Sequence, residues 1–405
     1  MSLVRVQHRE PCINIHMEES STSSLCSAPW GHTHITPDGN VHPCCHYKES
    51  LGNINQTKFT DIYNNDKFKD LRKQFLQNKK PTGCQKCYTA EDNGYVSFRH
   101  RINNSYWGEE VLANADTLTL PDGSLDEVNI FDADFRFSNK CNMACVMCSP
   151  TWSSKWASEM KVKTKYLQTF ENNFEFIKNN LNKVQLVNFA GGEPLIMDEH
   201  WQILDMCVTR GRVVKLAYTT NCSTTTYKNM DIIEYLKDWK ARVIINCSID
   251  SIKDKAEYIR YGIKWNEIEN TLKKYKQLSL ENNKVEIVIL SSIGMYNVFG
   301  LKELFDHMIE LGFPKTQLHL NPVAGEYSIA NLPAHAKKDA YQYMESLSET
   351  YGSIRNFKTV QNICLSDTNE ITVSKAIEEI LRLDKNRNLN FFKTFPELKE
   401  YYKNY

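Results

Sequence analysis

From about residue 128 onward the chain alternates between two hydrophobic periods. Short β-rich runs (VNIFDADFRF, VQLVNFA, VVKLAYT, RVIINCSI, KVEIVIL and TQLHLNP) are separated by longer stretches whose apolar residues fall three and four apart: one ending NNFEFIKNNL, then DEHWQILDMCVTR, KNMDIIEYLKDWK, KWNEIENTLKKYKQL and GLKELFDHMIELG. The first pattern predicts six strands and the second amphipathic helices. Regular β–α alternation implies right-handed crossovers and a parallel sheet, with chemistry gathered at the carboxyl ends of the strands. The fold class expected is therefore α/β, a partial (β/α)6 TIM-like barrel over residues 128–330.

The flanks have a different texture. Residues 1–105 combine short strands, turns and clustered Cys and His, and read as a small α+β module. The stretch NADTLTLPDGSLDE reads as part of a linker over 106–127. After residue 331, LPAHAKKDAYQYMESLSETY and ITVSKAIEEILRLDKNRN predict helices packed outside the barrel through 405. No repeat or low-complexity tract interrupts this plan.

Charge and composition narrow the function classes. Lys and Arg total 49 against 49 Asp and Glu, so nothing global argues for nucleic acid or an anionic membrane. No run of about 18 apolar residues occurs, and MSLVRVQHREPCINIHMEES lacks the basic-then-apolar order of a secretory signal. A cytoplasmic location is expected, and there 13 cysteines in 405 residues point to metal or redox use rather than disulfides.

All the unusual motifs fall on one rim. KCNMACVMCSP follows the first strand, FAGGEP the second, TTNCS the third, and NCSIDS closes the fourth. The spacing of Cys141, Cys145 and Cys148 would arise by chance roughly 0.01 times in such a chain. A structural zinc site closes with four ligands and the ferredoxin-type run ends in a fourth cysteine, whereas three thiols suit a cluster with one open iron.

With this C-x3-C-x2-C loop the chain resembles the radical S-adenosylmethionine (SAM) superfamily. The resemblance implies that Cys141, Cys145 and Cys148 hold a 4Fe-4S cluster whose fourth iron binds SAM. Where many members carry an aromatic residue before the last thiol, this chain has Met147. Gly191, Gly192 and Glu193 match the GGE motif, which implies contact of backbone and carboxylate with the amino group of SAM. Asn221, Ser248 and Asp250 stand where the family places polar contacts to SAM, although such residues also cap helices. Arg260, in the YIRYG expected to open the next helix, is a candidate partner for the SAM carboxylate. Cys207, Cys222, Cys247 and Cys364 lack ligand spacing and read as small buried hydrophobes. The implied reaction is reductive cleavage of SAM to a 5′-deoxyadenosyl radical, which abstracts hydrogen from a substrate.

The N-terminal module carries a second signal. HTHITPDGNVHPCC predicts a tight hairpin with PDG in its turn. The hairpin brings Cys26 near Cys44 or Cys45, and a helix over DKFKDLRKQFLQNKK returns the chain to Cys84 and Cys87. On chemistry alone, four thiols in two halves make either a zinc knuckle, for which His32, His34, His42 and His46 are available, or an iron-sulfur site. The order of motifs is similar to the auxiliary-cluster modules called SPASM and twitch, which implies a second 4Fe-4S cluster on Cys26, Cys44, Cys84 and Cys87, with Cys45 the alternative to Cys44. In the usual arrangement such a module follows the barrel; here it precedes it. Four thiols leave no open iron, which points to electron transfer rather than substrate binding. Glu91, Ser97 and Arg99 read as a solvated helical face. The module's resemblance implies a peptide or protein substrate and a reductant such as flavodoxin or ferredoxin. A small-molecule or nucleoside substrate and a non-catalytic zinc scaffold are the alternatives.

Overall fold

The computed structural model describes residues 23–92, 96–163, 179–180, 182–209, 211 and 214–405. The N-terminal module contributes strands β1 (His32–Ile35), β2 (Asn40–His42) and β3 (Gly52–Asn53). The six strands expected from the period-two runs follow as β4 (Asp132–Phe135), β5 (Leu186–Phe189), β6 (Lys215–Thr220), β9 (Val243–Ser248), β10 (Val285–Ile293) and β11 (Leu318–Pro322), with a small hairpin, β7 (Thr226–Tyr227) and β8 (Met230–Asp231), after β6. All six pair in parallel in chain order. The helix expected over NNFEFIKNNL falls mostly outside the described residues.

Strand burial follows the pleat. In β9 every second residue is buried, Val243, Ile245 and Cys247, while Ile244, Asn246 and Ser248 are half-exposed. One face therefore packs under the helices and the other lines an inner, solvent-accessible face. The main crossover helices appear as Asp198–Thr209, Trp265–Glu281 and Leu301–Glu310. KNMDIIEYLKDWK is helical only over Ile232–Leu236, because its first residues are spent on the β7–β8 hairpin.

The module is continuous with this sheet. β1 pairs in parallel with β4, His32 opposite Asp132 through Ile35 opposite Phe135, so one nine-stranded sheet runs in the order β11-β10-β9-β6-β5-β4-β1-β2-β3. The expected hairpin forms β1 and β2, with Gly39 at φ 81° closing its turn. The module's own core is pinned by Arg72, fully buried in the helix Asp66–Leu76 and donating to the carbonyls of Pro29, Tyr63 and Gly123.

The segment expected as a linker begins instead as a helix, Tyr106–Leu118, with Ser105 as N-cap and Trp107, Val111 and Ala115 buried. Its apolar residues at i, i+4 and i+8 seal the module's flank, so only the turn around Gly123 is connecting chain. The C-terminal helices Ala334–Tyr351 and Glu370–Arg387 form as expected. The second of them is tied to the barrel through Tyr258 Oη to Asp384 at 2.7 Å, and the terminal turn Pro396–Tyr402 through Lys255 Nζ to Glu397 at 2.6 Å.

Candidate active site on the sheet rim

The loop after β4 carries Cys141, Cys145 and Cys148. It is held from behind by backbone bonds, Ala144 N to Tyr261 O and Val146 N to Ile259 O at 2.8 Å each, and by Trp156 Nε1 donating to Cys145 O at 2.7 Å. The three sulfurs lie within electrostatic reach of one another: burial, together with the charge of Cys145, pushes the Cys141 and Cys148 thiols up to about 12. Buried thiols raised in this way become thiolates when a metal takes the place of their protons, the donor chemistry that such a loop offers a cluster. Cys145 is also raised by burial, but the guanidiniums of Arg260 and Arg387 oppose the rise.

The GGE turn presses directly on this loop. Gly191 and Gly192 have φ of 77° and 54°, and a Cβ on Gly192 would stand 2.4 Å from the carbonyl oxygen of Lys140. Only glycine fits there, and both glycines remain half-exposed. Glu193 behaves differently from expectation. It is 1% exposed, and its carboxylate accepts from Asn221 N at 2.6 Å, Thr220 Oγ1 at 2.8 Å and Leu195 N at 3.2 Å. Burial pushes it up to about 7 against those three donors. Its carboxylate therefore ties the end of β5 to the end of β6, and the glycine backbone is what the motif leaves open to a ligand.

Asn221, 7% exposed, donates to Asn142 Oδ1 at 2.9 Å and lies 3.9 Å from Cys141 Sγ. Ser248 ends β9 on the inner face. Arg260 does not open a helix; it follows the helix Lys253–Ile259, whose last turn ends there. Its Nη2 pairs with Asp250 Oδ2 at 2.8 Å and its Nη1 lies 3.9 Å from Cys145 Sγ. Asp250 in turn accepts from Ser292 N at 2.7 Å. The rim thus joins the ends of β4, β5, β6, β9 and β10. Cys207, Cys222, Cys247 and Cys364 are all buried, the first three completely.

One residue of this site lies in the C-terminal region, where no motif was recognised. Arg387 sits between the rings of Trp156 and Tyr261, at 4.7 and 4.6 Å from their centroids, with Nε 3.0 Å from Glu159 and both terminal nitrogens buried without a hydrogen-bond partner. The signal was there: Val373, Ala376, Ile377, Ile380 and Leu383 form an apolar stripe, and Arg387 continues it.

In the module, four thiols converge from three segments. The charges of Cys26, Cys84 and Cys87 act on one another, and Cys44 feels Cys26 and Cys84. Burial pushes Cys26 up to about 12 and raises Cys44 and Cys84 well above their ordinary range. Cys45 is exposed and turned toward Asp134 and Arg136 on β4. Of the histidines, His32 Nδ1 is 2.9 Å from Pro43 O, His34 Nδ1 is 3.0 Å from Asp134, and His46 Nδ1 is 3.8 Å from Cys87 Sγ. Among the described residues no three His, Cys, Asp or Glu side chains are drawn tightly enough around one point for a single ion, in the module or on the rim.

The segment after Cys87 is not a solvated face. Arg99 is 7% exposed; it pairs with both oxygens of Glu91, Nε at 3.0 Å and Nη2 at 2.6 Å, and donates to the carbonyls of Ser23 and Leu25 beside Cys26. A buried ion pair thus clamps the loop before Cys26 to the helix bearing Cys87.

Between the two cysteine sets lies the inner face of the sheet. There Asp134 is held well below the carboxylate range: against its burial act Arg136, bonded to it at 2.9 and 3.1 Å, and His34. Asp132, two residues earlier, has His32 only at 3.8 Å, and burial pushes it up to about 6.

Comparison with known proteins gives two family matches. Residues 26–88 match the SPASM iron-sulfur cluster-binding domain and residues 135–295 the radical SAM superfamily. Among curated proteins, a GTP 3′,8-cyclase of Clostridium botulinum strain Okra is 28% identical over 159 residues, 38% of this chain and 46% of that protein. One from Campylobacter lari is 27% identical over 123 residues, 30% of this chain and 35% of that protein. The chain thus spans less than half the length of these relatives. Among solved structures, Streptococcus suis SuiB bound to its precursor peptide SuiA aligns with a TM-score of 0.41 at 13% identity, covering 79% of this chain and 66% of that one. The enzyme anSMEcpe with bound AdoMet aligns with a TM-score of 0.40 at 15% identity, covering 57% and 60%. No described helix is long and apolar enough to cross a membrane.

Proposed function

The chain is a member of the radical SAM superfamily with a SPASM iron-sulfur domain ahead of its barrel, and from that premise we propose that it reductively cleaves SAM and abstracts hydrogen from a substrate held on the inner face of the sheet. The observation that carries the reading is the loop of Cys141, Cys145 and Cys148 pressed against the half-exposed Gly191–Gly192 backbone. When bound, the 4Fe-4S cluster and SAM supply the electron and the 5′-deoxyadenosyl radical.

The chain's own residues hold, orient and exclude. Cys141, Cys145 and Cys148 hold the SAM-binding cluster, and Cys26, Cys44, Cys84 and Cys87 hold the auxiliary one. The Gly191–Gly192 backbone offers polar groups to the amino end of SAM, and Glu193 acts through Asn221 by pinning its backbone. Asn221 and Ser248 present amide and hydroxyl to the ligand from the ends of β6 and β9. Arg260, fixed by Asp250, places a positive charge beside Cys145. The helices over the outer face and the C-terminal pair keep bulk water from the rim, which so reactive a species requires.

A peptide or protein substrate is supported by the module's motif order, a small-molecule substrate by the similarity to the curated cyclases. We place the protein in the cytoplasm, reduced by a flavodoxin or ferredoxin.

The test is anaerobic: reconstitute the full chain with iron and sulfide, add SAM and dithionite, and quantify 5′-deoxyadenosine. Product above the no-reductant control is expected. A colourless protein that takes up zinc, takes up no iron and yields no product would assign the thiols to a zinc scaffold.

A further inference from the structure

Two guanidiniums stand at Cys145, and they are neutralised to different degrees. Arg260, with Nη1 3.9 Å from Cys145 Sγ, is paired at 2.8 Å with Asp250, whose side chain is fully buried. Arg387, on the last turn of the helix Glu370–Arg387, pairs through Nε with Glu159, whose side chain is 19% exposed. A carboxylate in the dry interior cancels its partner's charge at close range, whereas one open to water is screened and leaves more of the guanidinium's charge standing. Arg387 itself is buried, with its side chain 2% exposed.

One ring on each side separates this guanidinium from the thiol loop. Its carbon stands 4.7 Å from the Trp156 ring centroid, and Trp156 Nε1 donates to Cys145 O at 2.7 Å. On the other face it stands 4.6 Å from the Tyr261 ring, and the Tyr261 carbonyl accepts from Ala144 N at 2.8 Å. The two rings therefore belong to residues bonded to consecutive positions of the loop. Glu159 lies on the same short helix as Trp156, Ser154–Glu159, so one element sets both the stack and the ion pair. Stacking occupies the two faces of the guanidinium and Glu159 its Nε, while both terminal nitrogens are buried with no hydrogen-bond partner. An apolar side chain continuing the stripe of Val373, Ala376, Ile377, Ile380 and Leu383 would fill the space between the rings without stranding those donors. Packing alone does not account for an arginine here. A positive charge acts without alignment, so it reaches the Cys145 thiolate whichever way the fork points.

We propose that Arg387 is a positioning residue whose weakly cancelled charge, brought to Cys145 by the C-terminal helix, favours the reduced form of the rim cluster. The inference rests on the reading that Cys141, Cys145 and Cys148 hold that cluster. Reduction takes one electron from the external reductant and adds one negative charge to the cluster, so a buried cation nearby stabilises the reduced state over the oxidised one. The C-terminal region, which carries no motif, thereby gains a task in the reaction: it supplies the charge that eases the first electron transfer.

The experiment is a redox titration of the reconstituted full chain, with dithionite as reductant and electron paramagnetic resonance as readout. The samples are wild type, Arg387→Met, Arg387→Lys, Glu159→Gln and a control on the exposed side of the same helix, Arg382→Gln. The rim signal is the one that SAM perturbs, and the module signal serves as internal reference. At a fixed potential the reduced-to-oxidised ratio of the rim cluster is expected to fall about tenfold in Arg387→Met, the effect of one charge at roughly 10 Å and an effective dielectric of about 20. Arg387→Lys keeps the charge and should stay within about threefold of wild type. Glu159→Gln should move the ratio upward, because it removes the carboxylate and leaves the guanidinium. A merely structural brace gives a different pattern: Arg387→Met and Glu159→Gln both lose rim iron and neither moves the ratio, a result that overturns the inference. Equal ratios in all variants, a downward shift in Glu159→Gln, or a shift of the module signal as large as that of the rim also overturn it. Iron content is read on the same samples, and where Arg387→Met fails to load its cluster the direction of the Glu159→Gln shift decides. A wild type without a SAM-perturbed signal removes the cluster reading and the inference with it; a loaded rim cluster indifferent to Arg387 removes the inference alone.

Discussion

The two cysteine sets of this protein are built in opposite ways. On the rim, three thiols come from one eight-residue stretch, and the surrounding structure has only to hold that loop still. In the module, four thiols come from three segments spread over sixty residues, and the fold has to bring them together. The difference shows in what backs each set. The rim loop leans on Trp156 a few residues on and on backbone bonds to Ile259 and Tyr261, with Arg387 arriving from the C-terminal helix, but its three thiols need no long-range pairing to come together. The module relies on the Arg99–Glu91 pair, which ties the start of the described chain to the helix bearing Cys87. A site written locally survives loosening of its surroundings, whereas a site written at long range is only as stable as its clamp.

The largest expected effects separate the two sets outright. Cys145→Ala should abolish 5′-deoxyadenosine formation while keeping the module's iron, so that iron falls from about eight per chain toward about four. Cys87→Ala should lose a similar amount of iron yet still cleave SAM. Loss of cleavage in both variants would merge the two sets into one functional unit.

Next come the two arginines. Arg99→Ala leaves the Glu91 carboxylate with only Ser97 and His100 beside it and should cost roughly 3 kcal/mol, seen as a lowered denaturant midpoint with selective loss of module iron. Arg387→Ala removes a guanidinium stacked between two rings and one ion pair, but it also relieves two unpartnered nitrogens, so roughly 2 kcal/mol is expected, with loosened SAM binding. Equal effects from both would remove the contrast between local and long-range support.

The smallest effect concerns the strand where the two regions meet. Asp132 titrates near 6 in the fold against 3.8 when free, so the folded chain holds that proton more tightly and stability declines as pH rises between those values. Asp132→Asn should abolish that decline, worth roughly 1 kcal/mol given its 14% exposed side chain. Asp134 is held low by Arg136 and His34, so its stabilisation is present at neutral pH and lost as pH falls; Asp134→Asn should lower the melting temperature at pH 7. Thermal unfolding from about pH 2 to 8 distinguishes the opposite signs, the Asp134 loss falling below the free carboxylate range and the Asp132 decline above it.

Much of the barrel was legible before any coordinates. The six strands, most of the helices that cross between them, the PDG hairpin and the placement of every rim motif at a strand's carboxyl end follow from period and turn chemistry, which are properties of neighbours in sequence. The misreadings share a cause. The helix Tyr106–Leu118 was read as linker because it runs straight into the PDG turn signal, and its apolar residues matter only once the module covers them. Arg99 was read as solvated because nothing within a few residues of it shows that it will be buried. For Glu193 the motif points to a ligand, and the fold adds that the ends of β5 and β6 use its carboxylate as a tie, a role that exists only when the two strands are side by side.

The sequence by itself determined the strand and helix periods, the spacing of Cys141, Cys145 and Cys148, and the glycines that let Gly191–Gly192 sit against that loop, because each depends on bond geometry or on residues a few positions apart. Only the tertiary structure decided that β1 extends the barrel's sheet, that Cys44 rather than Cys45 turns toward Cys26 and Cys84, and that Arg387 supports the rim from the far end of the chain. Each of those is a pairing between segments distant in sequence, selected by burial and charge in the assembled fold.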